Sequence, residues 1–225
     1  MKIVAVGCIH NDVENLLRFV DILRAAEFDV LVCPGDFTDG ALPKGFSNID
    51  IGKLIVEEFK SLGKPVLVVP GSWDRDLLDF FDKSGLSIHG KGKEIKGVGF
   101  YGYGGAKTPF GLPLEPSEDE IFNGLKKAYD EVKRSKIKVQ VTHAPPARTK
   151  LDMIPSGAHV GSEAVRKFLE QMNPQAAICA HIHEARGVDE IKNIKIVNTG
   201  RLPEGHYALI EVTESGVSAK IVDLI

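Results

Sequence analysis

Cysteine is scarce in this sequence, with three residues among 225. Cys8, Cys33 and Cys179 lie at or near the ends of apolar runs, and their spacing is not that of a disulfide framework. An odd number of cysteines outside such a framework is typical of proteins that stay in a reducing compartment. We therefore expect a cytoplasmic location.

Long hydrophobic runs are also missing. Hydrophobic residues make up 43% of the chain, but no apolar stretch approaches the roughly 18 residues of a membrane-spanning helix. Residues 1–6 run directly into a strand pattern, without the length or the cleavage site of a signal peptide. We therefore expect no membrane span and no leader. The length is sufficient to bury a full core and predicts a single domain over residues 1–225.

An excess of positive charge is absent as well. The formal net charge is −3, from 28 Lys and Arg against 31 Asp and Glu. Proteins that bind the nucleic-acid backbone need a basic surface, so this balance argues against a nucleic-acid partner and weakens a nuclease interpretation. It does not exclude a small phosphorylated substrate or ligand, because bound cations would dominate the local electric field.

What the chain does contain is a regular alternation of buried-strand patterns and amphipathic helices. An order of strand, helix, strand is typical of a parallel sheet with crossover helices. The tail, over residues 194–222, predicts an antiparallel meander. We therefore predict an α/β fold of two packed sheets flanked by helices. The predicted strands are 2–7, 29–33, 65–69, 137–142 and 175–180, and the predicted helices are 13–26, 51–62, 74–83, 117–134 and 163–172.

Metal-ligating residue types lie at the ends of four of these strands. They are His10, Asp36, His143 and the pair His181 and His183. Side chains at several strand ends can converge on one point, and residues two apart on an extended strand share a face. An aspartate can bridge two divalent cations, while neutral imidazoles complete the coordination without cancelling the charge. The pattern predicts a binuclear centre for phosphate-ester hydrolysis.

Five ordered motifs, and a later turn, carry a resemblance to a known family. They are Cys8-Ile9-His10, Gly35-Asp36-Phe37-Thr38-Asp39, Gly71-Ser72-Trp73-Asp74, Thr142-His143 and Ala180-His181-Ile182-His183, followed by the turn Asn198-Thr199-Gly200. In order, spacing and strand context, this set resembles the calcineurin-like metallophosphoesterase family over nearly the whole chain. The resemblance implies a four-layer α/β/β/α sandwich of two mixed sheets. It also implies hydrolysis of phosphate esters by a metal-activated hydroxide.

The resemblance further implies two ligand sets and their cofactors. One cation would be held by His10, Asp36 and His183, and the other by Asp36, His143 and His181. The cofactors would be two divalent ions, chosen from manganese, zinc, iron and nickel. Asp36 and His143 would be the catalytic residues.

Cys8 stands where the family has an aspartate ligand. A thiolate is a good ligand for zinc or iron, and a nearby cation lowers the pKa of a thiol. However, the side chain is shorter than that of aspartate, and a free cysteine usually serves as a small buried hydrophobe. Both interpretations of Cys8, as metal ligand and as core residue, stay open.

Three further positions bear on the site. Ser72 replaces the family's Asn ligand, and a neutral hydroxyl is a poor ligand, so a turn residue that caps the next helix is the favoured interpretation. Trp73 replaces the family's substrate-contacting His and can stack on a leaving group or cover the site, but its indole cannot act as an acid. Asp39 can orient a ligand histidine or lie in solvent. Arg148 and Lys150 are candidates for contacts with the substrate anion.

These observations favour a metal-dependent phosphoesterase, specifically a phosphodiesterase, with an altered site. Without an evident general acid it should prefer esters with good leaving groups. The alternative is a catalytically impaired or inactive relative that keeps the fold and binds a phosphate ligand or a partner.

Overall fold

The computed structural model describes residues 1–224 and confirms an α/β fold of two mixed sheets packed face to face between helices. Within those residues, the first sheet has the order β11-β10-β1-β2-β3 and the second the order β4-β5-β6-β7-β9-β8. The first sheet contains β1 (Lys2–Ala5), β2 (Val30–Cys33), β3 (Val66–Val68), β10 (His206–Thr213) and β11 (Gly216–Asp223). The second contains β4 (Lys91–Ile95), β5 (Val98–Tyr103), β6 (Ile137–Thr142), β7 (Ala176–Cys179), β8 (Gly187–Ile191) and β9 (Ile194–Asn198). The helices are α1 (Val13–Arg24), α2 (Asn48–Ser61), α3 (Leu78–Lys83), α4 (Glu118–Val132) and α5 (Glu163–Met172).

Strand β1 shows why the central strands read as continuous apolar runs. Successive side chains of a strand point to opposite faces of the sheet. Ile3 and Ala5 are buried between the two sheets, whereas Val4 and Val6 are buried under the helices that cover the first sheet. Both faces of the strand are therefore out of water, which is typical of parallel strands in a layered α/β fold.

The helix boundaries follow from capping residues. The Ser117 side chain caps α4 in a reciprocal capping box with Glu120, as the sequence predicts. A second capping box, Ser47 with Asp50, starts α2 at Asn48, earlier than the predicted Ile51. In residues 1–224, no helix combines the length and the apolar character needed to cross a membrane.

The predicted antiparallel meander at the tail is wrong for β9 and is confirmed for the hairpin of β10 and β11. Strand β9 lies in the second sheet, parallel to β7, and pairs antiparallel with β8, which the sequence analysis missed. Strands β10 and β11 form an antiparallel hairpin in the first sheet. The chain crosses between the sheets through a short 3₁₀ helix at Leu202–Glu204. Alternation of apolar residues predicts a strand but not its partner, so the pattern could not reveal this crossing.

One edge of the molecule collects the carboxyl ends of the parallel strands. Strands β1, β2 and β3 run parallel in the first sheet, and β5, β6, β7 and β9 run parallel in the second. Gly7 follows β1 where the sheets meet. A Cβ there would lie 2.9 Å from Pro34 Cγ and 3.1 Å from Ala180 Cβ. The absence of a side chain at Gly7 lets the loops after β1, β2 and β7 approach one another.

Candidate metal centre

The predicted ligand residues converge at this edge. His10 follows β1, Asp36 follows β2, His143 follows β6, and His181 and His183 follow β7. The Oδ2 atom of Asp36 lies 3.2 Å from His143 Nε2 and 3.9 Å from His10 Nε2. Groups that are far apart along the chain therefore meet around one carboxylate.

The backbone at the site adopts an uncommon conformation. The φ angles of Cys8 and His10 are both 51°, that of Asp36 is 57° and that of His181 is 74°. Residues other than glycine seldom have positive φ, and such strain is concentrated at functional sites. Hydrogen bonds hold this strained backbone conformation, because the N–H groups of Ile9 and His10 both donate to the Asp36 carbonyl oxygen. The loops after β1 and β2 thus fix each other.

The two carboxylate oxygens of Asp36 face different groups, one a backbone N–H and the other two histidine rings. Oδ1 accepts a hydrogen bond from the Trp73 backbone N–H at 3.0 Å, which leaves Oδ2 facing His143 and His10. Burial by itself would raise the pKa of Asp36, but the adjacent His143 and His10 lower that pKa below its usual range. Asp36 is therefore a carboxylate at neutral pH.

His143 has one ring nitrogen committed and one free. Nδ1 lies 2.7 Å from the Pro34 carbonyl oxygen, and because a carbonyl only accepts, Nδ1 is the donor. Nε2 is buried and has no hydrogen-bond partner among residues 1–224, although it faces Asp36 Oδ2. Burial opposes protonation, yet the charge of Asp36 raises the pKa of His143. The space between Nε2 and Oδ2 thus favours a positive species, either a proton or a cation.

His10 and His183 face each other in the same way. Their Nε2 atoms lie 3.2 Å apart, and their rings meet edge to face at an interplanar angle of 75°. Burial lowers the pKa of His10, and it lowers the pKa of His183 to about 4. Two nitrogen ligands of one tetrahedral zinc lie about 3.3–3.4 Å apart. This neutral pair therefore fits the coordination sphere of a single cation.

Cys8 lies between these two clusters. Its Sγ belongs to one group with His10 and His183 and to another with Asp36 and His143, each with ligand atoms within 4.8 Å of one another. Burial, followed by the charge of Asp36, raises the pKa of the Cys8 thiol well above its ordinary value. A cation would have to displace that proton for sulfur to bind.

His181 supports the cluster from one side. Its ring lies 4.9 Å from the ring of His143, centroid to centroid. Burial and the neighbouring His143 lower the pKa of His181 to about 3, so the ring is neutral at neutral pH. It does not belong to either group of closely spaced ligand atoms found in the described chain.

Ser72 and Trp73 shape the surroundings of the site. The Ser72 hydroxyl is buried and donates to the Ala106 carbonyl oxygen at 3.3 Å, while the Ser72 carbonyl accepts from the Leu114 N–H. Ser72 thus anchors the loop that follows β5. The half-buried Trp73 ring packs over Gly40, where a Cβ would lie 3.1 Å from the ring. The indole therefore covers the backbone at Gly40, next to Asp39.

Asp39 and Asp74 hold backbone rather than histidine rings. The Asp39 carboxylate accepts from Asn11 Nδ2 and from the Ala41 N–H, both at 2.7 Å, so it fixes the loop beside His10. Asp74 is fully buried and accepts hydrogen bonds from the N–H groups of Phe37, Thr38 and Gly71. Burial and the nearby Asp36 raise the pKa of Asp74 to about 6.

Two residues near the site had no assigned role in the sequence analysis. Asn198, at the end of β9, donates from Nδ2 to the Ile182 carbonyl oxygen, between the two histidines of that segment. Arg201 follows the same turn, and its Nε is buried without a hydrogen-bond partner among the residues described. The Asn-Thr-Gly turn was the only signal in the sequence for this region.

The proposed anion contacts from Arg148 and Lys150 find no support in their contacts. The Arg148 guanidinium forms an ion pair with Glu163 on the surface. The Lys150 side chain is exposed, and its backbone N–H donates to Asp189.

The architecture defines a class of protein. A two-sheet α/β/β/α sandwich whose strand ends gather a buried carboxylate and histidines is a metallophosphoesterase fold. The solved structure of TT1561 from Thermus thermophilus matches with a TM-score of 0.75 and 20% identity, covering all of this chain and 99% of that one. A dimetal phosphatase from Danio rerio matches with a TM-score of 0.68 and 13% identity, covering all of this chain and 96% of that one. These likenesses show the fold.

Sequence comparison gives the family. The model of the calcineurin-like phosphoesterases matches residues 1–185. The uncharacterised protein MJ1162 of Methanocaldococcus jannaschii is 37% identical over 207 residues, which cover 88% of this chain and 87% of that protein. The chain belongs to the calcineurin-like phosphoesterase family.

Proposed function

We propose that this protein is a metal-dependent phosphoesterase that acts on small phosphate esters, with phosphodiesters as the preferred class. One observation carries the proposal. The Nε2 atom of His143, buried and without a hydrogen-bond partner within residues 1–224, lies 3.2 Å from Oδ2 of the Asp36 carboxylate. An arrangement of acceptors around a buried carboxylate is typical of a cation site.

The ligand sets follow the family pattern. His10, Asp36 and His183 would hold one cation, with Cys8 as a further ligand. Asp36, His143 and His181 would hold the second. When bound, divalent cations lower the pKa of water, which yields a nucleophile at neutral pH, and offset charge on the phosphoryl oxygens. Nitrogen, carboxylate and sulfur donors together suit zinc, iron, nickel or manganese.

The chain's own residues position these ligands. The Pro34 carbonyl fixes the His143 tautomer, because it accepts the Nδ1 proton and leaves Nε2 as the ligand atom. The Trp73 backbone N–H orients Asp36 through Oδ1. The Trp73 indole lies where the family has an acid, and an indole can only donate a hydrogen bond. Substrates with good leaving groups are therefore expected.

The comparisons with known proteins support phosphoester hydrolysis as the type of reaction. The Danio rerio protein that shares the fold is described as a dimetal phosphatase. The family to which this chain belongs is named for phosphoester chemistry. The preference for phosphodiesters is tested by comparing a diester with the corresponding monoester.

The test is turnover of an activated aryl phosphodiester, compared with the corresponding monoester, in the presence of manganese, zinc, nickel or iron. We expect hydrolysis with at least one metal and its loss in Asp36→Ala. Asp79→Ala is the matched control, because Asp79 is an exposed aspartate that pairs with Lys83 on the surface. Absence of turnover across the whole metal panel would refute the proposal.

A second candidate is a non-catalytic relative that binds a phosphate compound. The specific observation in its favour is the commitment of the Ser72 hydroxyl to Ala106, together with Trp73 at the position of the acid. Metal analysis combined with the turnover assay separates the two candidates. Full metal occupancy without hydrolysis would establish the second.

The proposed location is the cytoplasm. Cys8, Cys33 and Cys179 are all free and buried. Free thiols are stable in a reducing compartment, which supports the location inferred from the number of cysteines. Fractionation of cells that produce the protein tests it.

A further inference from the structure

Arg201 lies where the chain crosses from the second sheet to the first. It follows the turn at the end of β9 and directly precedes Leu202, whose N–H donates to the Gly7 carbonyl oxygen. Gly7 immediately precedes Cys8 in the loop after β1. The backbone of Arg201 is therefore tied to the strand end that carries Cys8 and His10.

The position of this turn is fixed by the same side chain that fixes the histidine segment. Asn198 Oδ1 accepts from the Gly200 N–H at 3.0 Å, and Asn198 Nδ2 donates to the Ile182 carbonyl oxygen at 2.9 Å. Arg201 comes next after Gly200, and His183 comes next after Ile182. Asn198 therefore holds the backbone directly before Arg201 and the backbone directly before His183.

Within residues 1–224, the side chain of Arg201 has no hydrogen-bond acceptor for its Nε. Its Nε is buried without a hydrogen-bond partner, and the described part of the chain offers it no ion pair with a carboxylate. Several other arginines form ion pairs, such as Arg148 with Glu163 and Arg166 with Glu170. The Arg201 side chain is partly buried, and leaving a buried N–H of a charged group such as its Nε without an acceptor is costly, which points to an anion from outside the chain.

The direction of two pKa shifts agrees with this placement. Burial is the main cause that lowers the pKa of His10 and of His183, and the positive charge of Arg201 contributes to both shifts. The geometric basis for the placement is the backbone: the Leu202 N–H bonds to Gly7, and Asn198 holds both Gly200 and Ile182, so Arg201 lies beside the loop of His10 and the segment of His183.

We propose that Arg201 is the anchor for the phosphate group of the substrate. Its guanidinium donates to two non-bridging phosphoryl oxygens of a phosphate ester bound beside His10 and His183. The planar fork of arginine matches this pair of oxygens in a bidentate way that lysine cannot reproduce. The inference rests on the proposed function for where phosphate binds, but not on turnover.

The experiment measures binding of inorganic phosphate to the metal-loaded protein by calorimetry. We expect Arg201→Ala to weaken phosphate binding by about 10- to 100-fold, the loss typical of hydrogen bonds to charged groups. Arg201→Lys should recover only part of the affinity. Arg18→Ala, which removes a surface arginine paired with Glu14, should bind phosphate like the wild type.

Metal content and melting temperature are measured for each variant. If Arg201→Ala does not fold, Arg201→Lys and Arg201→Gln take its place, since both retain a long polar side chain. Unchanged phosphate affinity, a loss that only follows lost metal, or a wild-type protein that binds no phosphate would each overturn the inference. Arginine-dependent phosphate binding without turnover would refute the phosphoesterase proposal and leave this inference standing.

Discussion

The side-chain amide of Asn198 holds the backbone between the two histidines after β7. Its Nδ2 lies 2.9 Å from the Ile182 carbonyl oxygen and 3.2 Å from that of Leu151. Asn198 is fully buried, so neither carbonyl can exchange this donor for water without a rearrangement. Asn198, on β9, therefore helps to set the spacing between His181 and His183, which follow β7.

We predict that Asn198→Ala weakens metal binding by about 10- to 100-fold, the effect typical of groups that orient metal ligands. It should also reduce the free energy of unfolding by about 2–4 kcal/mol, because buried carbonyls lose their donor. Metal titration and denaturant unfolding measure the two effects. Asn123→Ala, at an exposed position of α4, is the control and should change neither. Wild-type metal affinity in Asn198→Ala would contradict the orienting role.

His89 gives a prediction away from the metal site. Its Nδ1 accepts a hydrogen bond from the Gly104 N–H at 2.8 Å, and its ring stacks on Tyr103 with centroids 4.1 Å apart. Burial lowers the pKa of His89 from 6.5 to about 4. The unfolded chain therefore binds more protons than the folded chain between these pH values, so folding stability from His89 is lost as the pH falls.

We accordingly expect the wild type to exceed His89→Gln in unfolding free energy above pH 6.5, and this difference to narrow as the pH falls toward about 4. Urea unfolding of both proteins at several pH values, without added metal, measures it. The comparison cancels the titration of the other histidines, which both proteins share. A difference that is independent of pH would show that His89 titrates normally in the folded state.

Much of the fold, and the convergence of the candidate ligand side chains, could be predicted because both depend on local patterns. Continuous apolar runs indicated β1, β2, β6 and β7. Because these strands run parallel within their sheets, the polar residues at their carboxyl ends lie at one edge of the molecule. This is why His10, Asp36 and His143 could be grouped without coordinates. The distance of 3.2 Å between Asp36 Oδ2 and His143 Nε2 agrees with that grouping.

The remainder depends on contacts that leave no periodic signal. The carboxylate of Asp74 accepts hydrogen bonds from the backbone N–H groups of Phe37 and Thr38, which are far away in the chain, and every residue type except proline carries such a donor. The burial of Arg201 Nε likewise depends on where the chain crosses from the second sheet to the first. The alternation of apolar residues does not indicate that crossing. Long-range bonds between side chains and backbone are therefore the part of this site that required the structure.

Gly71 is predicted to be intolerant of any side chain. A Cβ at this position would lie 2.1 Å from both the backbone nitrogen and Oδ1 of Asp36. Gly71→Ala should therefore cost at least about 3 kcal/mol of unfolding free energy and abolish metal binding, because the loop that carries Asp36 must move. Gly85→Ala is the control, since its Cβ would meet nothing within 4 Å and the left-handed backbone alone costs about 1 kcal/mol. Gly71 itself does not have a positive φ, so a loss in Gly71→Ala no larger than that in Gly85→Ala would contradict contact with Asp36 as the cause.

Cys8 is predicted to bind metal as a thiolate. Its Sγ lies within 4.8 Å of the ligand atoms of His10 and His183, and equally of those of Asp36 and His143. X-ray absorption of the zinc-loaded protein should show a sulfur neighbour at about 2.3 Å, against about 2.0–2.1 Å for nitrogen. The sulfur signal should disappear in Cys8→Ala and persist in Cys33→Ala, which removes another buried thiol. Cys8→Asp should shift the metal preference from zinc toward manganese, because a carboxylate is a harder ligand than a thiolate. A zinc shell of nitrogen and oxygen alone in the wild type would establish Cys8 as a small buried hydrophobe instead.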